Sequence, residues 1–145
     1  MADVSDSALS EAYQEVRSDK TNTNWCLFGY EGNAKIVLQG KGEGGLEELV
    51  GHLQADQAQF GYLRVISGDN ESKRAKFVLL TWCGQQVGAL KRAKISVHKA
   101  SVKTILKDFA VEVQGDSQDD FTEEIIMQRV RKAGGADYSG NVQNQ

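Results

Sequence analysis

Phe77-Val78-Leu79-Leu80-Thr81-Trp82-Cys83 is the longest apolar run in the chain, and its reading decides the fold. Its length suits a strand and falls far short of the roughly 20 residues that span a bilayer. The first four residues do not alternate between apolar and polar. A strand that is apolar on both sides must be covered on both faces. This one therefore lies inside a sheet, with helices packed above and below it.

Working outward, Phe60 to Ile66 reads as the preceding strand. It is linked through Ser67-Gly68-Asp69-Asn70 to the basic foot Lys73-Arg74-Ala75-Lys76, and the fourth strand runs from Lys76 to Cys83. Further upstream, Trp25 to Tyr30 and Lys35 to Gln39 flank the turn residues Glu31-Gly32-Asn33 and form a hairpin. Gly40 to Gly45 reads as a loop. Leu46 to Leu53 reads as a short helix with Leu46, Leu49, Val50 and Leu53 on one face. At the start, Asp6 to Ser18 is helical: Leu9, Ala12, Tyr13 and Val16 form one stripe, and Ser5, Asp6 or Ser7 can cap the first turn.

Downstream, Ala89 to Lys107 carries helical spacing in Val102, Ile105 and Leu106, continued by Phe109. Lys99, Lys103 and Lys107 fall on a different face. Ile95-Ser96-Val97 predicts a kink or break, because β-branched residues and Ser weaken a helix. Phe109 to Val113 is a fifth strand, and the long helical link before it permits a parallel crossover. Asp119 to Ala133 is the last helix, with acids first and Arg129, Arg131 and Lys132 last, an order that complements its dipole. Gly134-Gly135 ends it.

The expected fold is α+β, an α/β/α sandwich in which a five-stranded mixed sheet is flanked by helices in the order αββαββαβα. Residues 1–135 form the single expected domain, and residues 136–145 a flexible tail. The 145 residues are 40% hydrophobic and 26% charged, ordinary for one globular domain with a real core. Met1 to Ser10 has no apolar segment of the kind that directs secretion, so a cytosolic location is expected. Cys26 and Cys83 both follow a Trp in apolar surroundings and are expected to be buried and reduced.

No constellation for catalysis emerges. His52 and His98 lie far apart, each on a helix, and read as surface residues without ligand spacing. Gly40-Lys41-Gly42-Glu43-Gly44-Gly45 lacks the Lys-Ser/Thr ending of a phosphate loop, and Glu43 would repel phosphate. The acids from Asp116 to Glu124 lack the spacing of a calcium loop and read as a solvated helix start. No cofactor and no metal are expected, and an enzyme is not. A net charge of −3 argues against a general nucleic-acid binder. What remains is basic clustering: Lys73, Arg74 and Lys76; Lys91, Arg92 and Lys94; and Arg131 with Lys132. Three such clusters in an acidic chain point to an anionic partner, met by positive charge along one edge of the molecule.

Three stretches carry a family resemblance. They are Ser72-Lys73-Arg74-Ala75-Lys76-Phe77 running into Thr81-Trp82-Cys83-Gly84, then Gly88-Ala89-Leu90-Lys91-Arg92-Ala93-Lys94 leading into His98-Lys99-Ala100-Ser101-Val102-Lys103, and Lys132-Ala133-Gly134-Gly135-Ala136-Asp137-Tyr138. On these the chain resembles the coactosins, within the actin-depolymerising-factor homology group that also contains cofilin. The resemblance implies a monomer of the cytoplasm and actin-rich cortex. Such a protein binds the sides of actin filaments without severing them, opposes barbed-end capping and catalyses nothing. It implies a central role for Lys76, supported by Lys73 and Arg74, and an actin-facing helix carrying Lys91, Arg92, Lys94, Lys99 and Lys103. It implies, as an alternative, an adaptor that meets a lipoxygenase-like partner through Lys132 beside Arg131. Ala2-Asp3-Val4 stands where cofilins carry a regulatory serine, so phosphoregulation of that kind is not implied.

Overall fold

The computed structural model describes residues 2–68 and 73–133. The expected helix stop at Gly134-Gly135, the tail, and Asp69 and Asn70 of the strand link lie outside the described residues. The elements run α1 (Ser7–Arg17), β1 (Trp25–Glu31), β2 (Lys35–Gly42), α2 (Gly45–Val50), β3 (Ala58–Gly68), β4 (Lys73–Cys83), α3 (Ala89–Val102), β5 (Val111–Gly115), a 3-10 turn (Gln118–Phe121) and α4 (Glu123–Ala133). The strands form one mixed sheet in the order β2-β1-β3-β4-β5, antiparallel except for the parallel β4/β5 pair. The α3 crossover supplies the reach that a parallel pairing needs.

Strand alternation builds two cores. On one face, Phe28, Phe60, Tyr62 and Leu79 meet Leu9 and Val16 of α1 and Val102 of α3. On the other, Leu63, Val78, Leu80 and Trp82 meet Leu49 of α2 and Ile126 and Val130 of α4. The unalternating start of the Phe77–Cys83 run thus packs on both faces, as expected. Asp6 caps α1, its carboxylate accepting a hydrogen bond from the Ala8 N–H. Gly32 takes a positive φ of 76° in the β1–β2 turn, a conformation open to glycine without strain.

Several boundaries differ from expectation for physical reasons. The hairpin of β3 and β4 pairs continuously from Ala58↔Cys83 out to Gly68↔Lys73, so the basic foot is strand rather than loop. Gly40 to Gly42 likewise pair with β1 as part of β2, and α2 ends at Val50. No break divides α3 at Ile95-Ser96-Val97. Ile95 is buried in the core, and that packing outweighs weak local propensity. The helix instead stops at Val102, well before Lys107. The fifth strand sits later, at Val111–Gly115, and the last helical segment is split by Thr122 into a 3-10 turn and α4.

Candidate functional site

Because β4 alternates, Lys76 belongs to the face of Val78, Leu80 and Trp82, the face covered by α2 and α4. It pairs with Val65 across the ladder and is half-buried, while Lys73 and Arg74 are exposed at the strand's outer end. The last helix runs back toward this end. Its approach begins at Phe121, whose ring lies 6.1 Å from that of Trp82, and Arg129 donates to the Glu112 carbonyl at 3.1 Å. Arg131 and Lys132 follow, both exposed. Lys73, Arg74, Lys76, Arg131 and Lys132 therefore mark one pole of the molecule.

The helix α3 begins just beyond the other end of β4. Lys91 Nζ lies 4.6 Å from the centre of the Tyr30 ring, and Lys94 is exposed. The 11-residue length of β4 separates the two poles by roughly 33 Å. The expectation of a single positive edge is thus corrected. An antiparallel return of α3 over β4 puts the helix start opposite the strand start.

Three of the basic residues are engaged internally. Arg92 donates to the Gly84 and Val87 carbonyls at 3.3 Å each, closing the loop that enters α3. Lys99 and Lys103 both reach Glu112 on β5, at 2.5 and 2.9 Å. Burial alone would raise the Glu112 pKa. The hydrogen bonds from the two ammonium groups override it and hold the carboxyl at about 2.

Two further residues depart from expectation. His98 is not a surface residue. It is buried against β1, with Nδ1 2.6 Å from Tyr30 Oη. Its burial, with Lys94 and Lys91 nearby, lowers its pKa, and burial pushes the Tyr30 hydroxyl up to about 12. Cys83 is only half-buried, whereas Cys26 is fully enclosed and burial pushes its thiol up. His52 is exposed as expected.

Sequence reading missed an apolar stripe on α3. Leu90 is 76% exposed and Val97 55%, and Ala93 and Ala100 are exposed between and beyond them. Positions 90, 93, 97 and 100 share one helix face. Their spacing carries the signal, but the basic residues interleaved with them mask it.

Residues 1–131 match the family described as cofilin/tropomyosin-type actin-binding protein. The chain belongs to that actin-binding family. Within it, the chain is 56% identical to coactosin of Dictyostelium discoideum over 142 residues, covering 97% of each chain. It is 44% identical to coactosin of Entamoeba histolytica over 130 residues, covering 88% of each. A crystal structure of coactosin from Entamoeba histolytica superposes with a TM-score of 0.85 at 37% identity, covering 92% of this chain and 96% of the other. The five-stranded mixed sheet and its helices are thus those of the actin-binding family, and the coactosin resemblance stands. Among the described residues, no helix is long and apolar enough to cross a membrane.

Proposed function

We propose that the chain binds the sides of actin filaments in the manner of a coactosin, without severing them and with an effect opposed to barbed-end capping. The observation that carries this reading is the pairing of two uncovered surfaces. One is the basic pole at the foot of β4. The other is the α3 face of Leu90 and Val97 beside Lys91 and Lys94. Lys73, Arg74, Lys76 and Lys94 pair with no acid among the described residues, so their charge is available to an acidic partner. Two poles roughly 33 Å apart suit a polymer that repeats its surface better than a single small acidic ligand.

The poles divide the work. Exposed cations steer encounter and respond to salt, while a half-buried lysine whose shell is completed by the partner is costly to truncate. Lys76 fits that second role, with Lys73 and Arg74 around it. Leu90 and Val97 supply apolar area. Lys99, Lys103 and Arg92 act indirectly, by holding α3 in place. On this reading the molecule binds rather than catalyses, and works in the cytoplasmic actin network at the cortex.

Filament cosedimentation over a salt series tests the proposal. Binding should weaken steadily as salt rises, and Lys76→Ala should lower affinity roughly tenfold or more with little change in thermal stability. An unchanged Lys76→Ala variant would remove Lys76 from the interface.

A further inference from the structure

The two helical layers of the sandwich are unequal. One face of the sheet carries α1 and α3, of 11 and 14 residues, whereas the other carries α4, of 11, and α2, of only 6. Between α2 and α4 the layer stays open, leaving a groove of about 720 Å³. Its floor is β3 at Leu63 and Val65, and its walls are Leu46 and Val50 on one side and Ile126 and Met127 on the other. Phe121 closes one end, where the Gln118 side chain donates to the Val50 carbonyl at 3.2 Å and ties the 3-10 turn to α2. The rim is acidic: Glu47 rises from α2 and Glu123 from α4, both exposed and without an ion-pair partner among the described residues. Arg64 also borders the groove, but its guanidinium is occupied by the Ser18 carbonyl and the Asp19 carboxylate.

We infer that this groove docks a short basic amphipathic helix of a second protein, at a site that adjoins the basic pole through Val65, the ladder partner of Lys76. A strand is excluded as occupant, because β3 has β1 and β4 hydrogen-bonded on either side and offers no free edge. A helix laid between α2 and α4 would instead complete the layer. Leu63 and Val65 give about 7 Å of floor, and with Leu46, Val50 and Met127 on the walls this is enough for apolar anchors at i, i+3 and i+4. The sign of the partner follows from the rim. Glu47 and Glu123 flank the floor from opposite walls and would meet cations on both sides of the apolar stripe.

The test uses the full chain, labelled for methyl NMR, and a synthetic helix of about 14 residues with Leu on one face and Lys elsewhere. Saturable shifts confined to the methyls of Leu63, Val65, Ile126 and Met127 are expected. The same Leu pattern with Glu in place of Lys should bind roughly tenfold weaker or less. The paired change Glu47→Gln with Glu123→Gln should cause a similar loss, and Met127→Gln should weaken binding through the wall alone. Thermal melts confirm that the variants are folded. Equal binding of the two peptides, or shifts spread over other surfaces, would overturn the inference. So would groove methyls that shift with protein concentration alone, which would mark a second copy as the occupant. Signals of residues 134–145 moving with the groove methyls on peptide addition would assign the groove to the chain's own terminus instead.

Discussion

Lys99 Nζ lies 2.5 Å from Glu112 Oε2, and this contact fastens the middle of α3 to β5. Lys103 completes the clamp at 2.9 Å from the other carboxylate oxygen, and Thr81 and Gln114 approach at 3.4 Å. The Glu112 side chain is only 19% exposed, so its charge is partly removed from water and relies on these donors. The helix that carries the exposed Leu90, Val97 and Lys94 is therefore positioned by two lysines that the family resemblance assigned to the partner itself.

Replacing this carboxylate tests the clamp and its pH dependence together. Glu112→Gln should lower stability at pH 7 by about 1–3 kcal/mol, since charge-assisted hydrogen bonds are lost from a half-buried site. The Glu112 pKa falls from 4.5 to about 2 on folding. A depressed pKa means that the folded state favours the charged form. Its contribution is complete above about pH 4.5 and is lost as pH falls toward 2. Denaturant titrations of the two proteins should thus differ most at pH 6–7 and converge near pH 2. A gap that persists at pH 2 would mean that the amide damages packing rather than a charge interaction.

Lys94 and Lys99 lie on one helix and should separate cleanly. Lys94 is exposed and pairs with no acid among the described residues, while the Lys99 side chain is 17% exposed and bound to Glu112. Lys94→Ala should leave stability within about 0.5 kcal/mol and reduce filament affinity severalfold, with the difference shrinking as salt rises. Lys99→Ala should do the reverse, costing about 1–2 kcal/mol of stability and affecting filaments only through the loosened helix. Cosedimentation and thermal melts of both variants decide the assignment.

How much of this was legible follows from which residues needed only their neighbours. Leu9, Ala12, Tyr13 and Val16 announce α1 by spacing alone, and all four are buried. The two-sided burial of the Phe77–Cys83 run also followed from composition. The length of the crossover permitted the parallel pairing that β5 makes, without requiring it. What stayed hidden required register. Glu112 faces α3 because it pairs opposite Leu79, whose side chain belongs to that core, and no local pattern near Glu112 reveals this. The same holds for His98, whose partner Tyr30 lies 68 positions away. The opposite placement of the two basic poles depended on the direction of α3 over the sheet, which spacing within either cluster cannot express.

The exposed stripe of α3 predicts a variant that harms function but not folding. Leu90 and Val97 make no contribution to either core, so Leu90→Ser with Val97→Ser should change stability by less than about 1 kcal/mol. Loss of their apolar area should nonetheless weaken filament binding roughly tenfold, and salt should alter that loss little, unlike the loss in Lys94→Ala. Cosedimentation at two salt concentrations separates the apolar from the electrostatic share. Unchanged affinity would show that this face of α3 stays outside the contact.

The junction between β4 and α3 sets the last expectation. Gly84 is buried where the chain leaves Cys83, and its N–H donates to the Gln57 carbonyl at 2.9 Å. A Cβ at this position would lie 2.1 Å from the Ala55 carbonyl oxygen and 2.4 Å from its carbon. Both atoms are backbone, so no side-chain rotation relieves the overlap, and the Ala55 carbonyl is also the acceptor for the Gln86 N–H. Gly84→Ala must therefore push apart the segment before β3 and the entry to α3, at a cost of about 2 kcal/mol or more. Since Arg92 closes the same loop through the Gly84 carbonyl, the displacement should reach the start of α3. Gly29→Ala provides the contrast. Its Cβ would meet the end of the Gln39 side chain rather than backbone, so the overlap is relieved by moving that amide, at the cost of its hydrogen bonds with Gln57 and Gln59. Thermal melts should rank Gly84→Ala below Gly29→Ala, and filament affinity should fall more with the first than with the second.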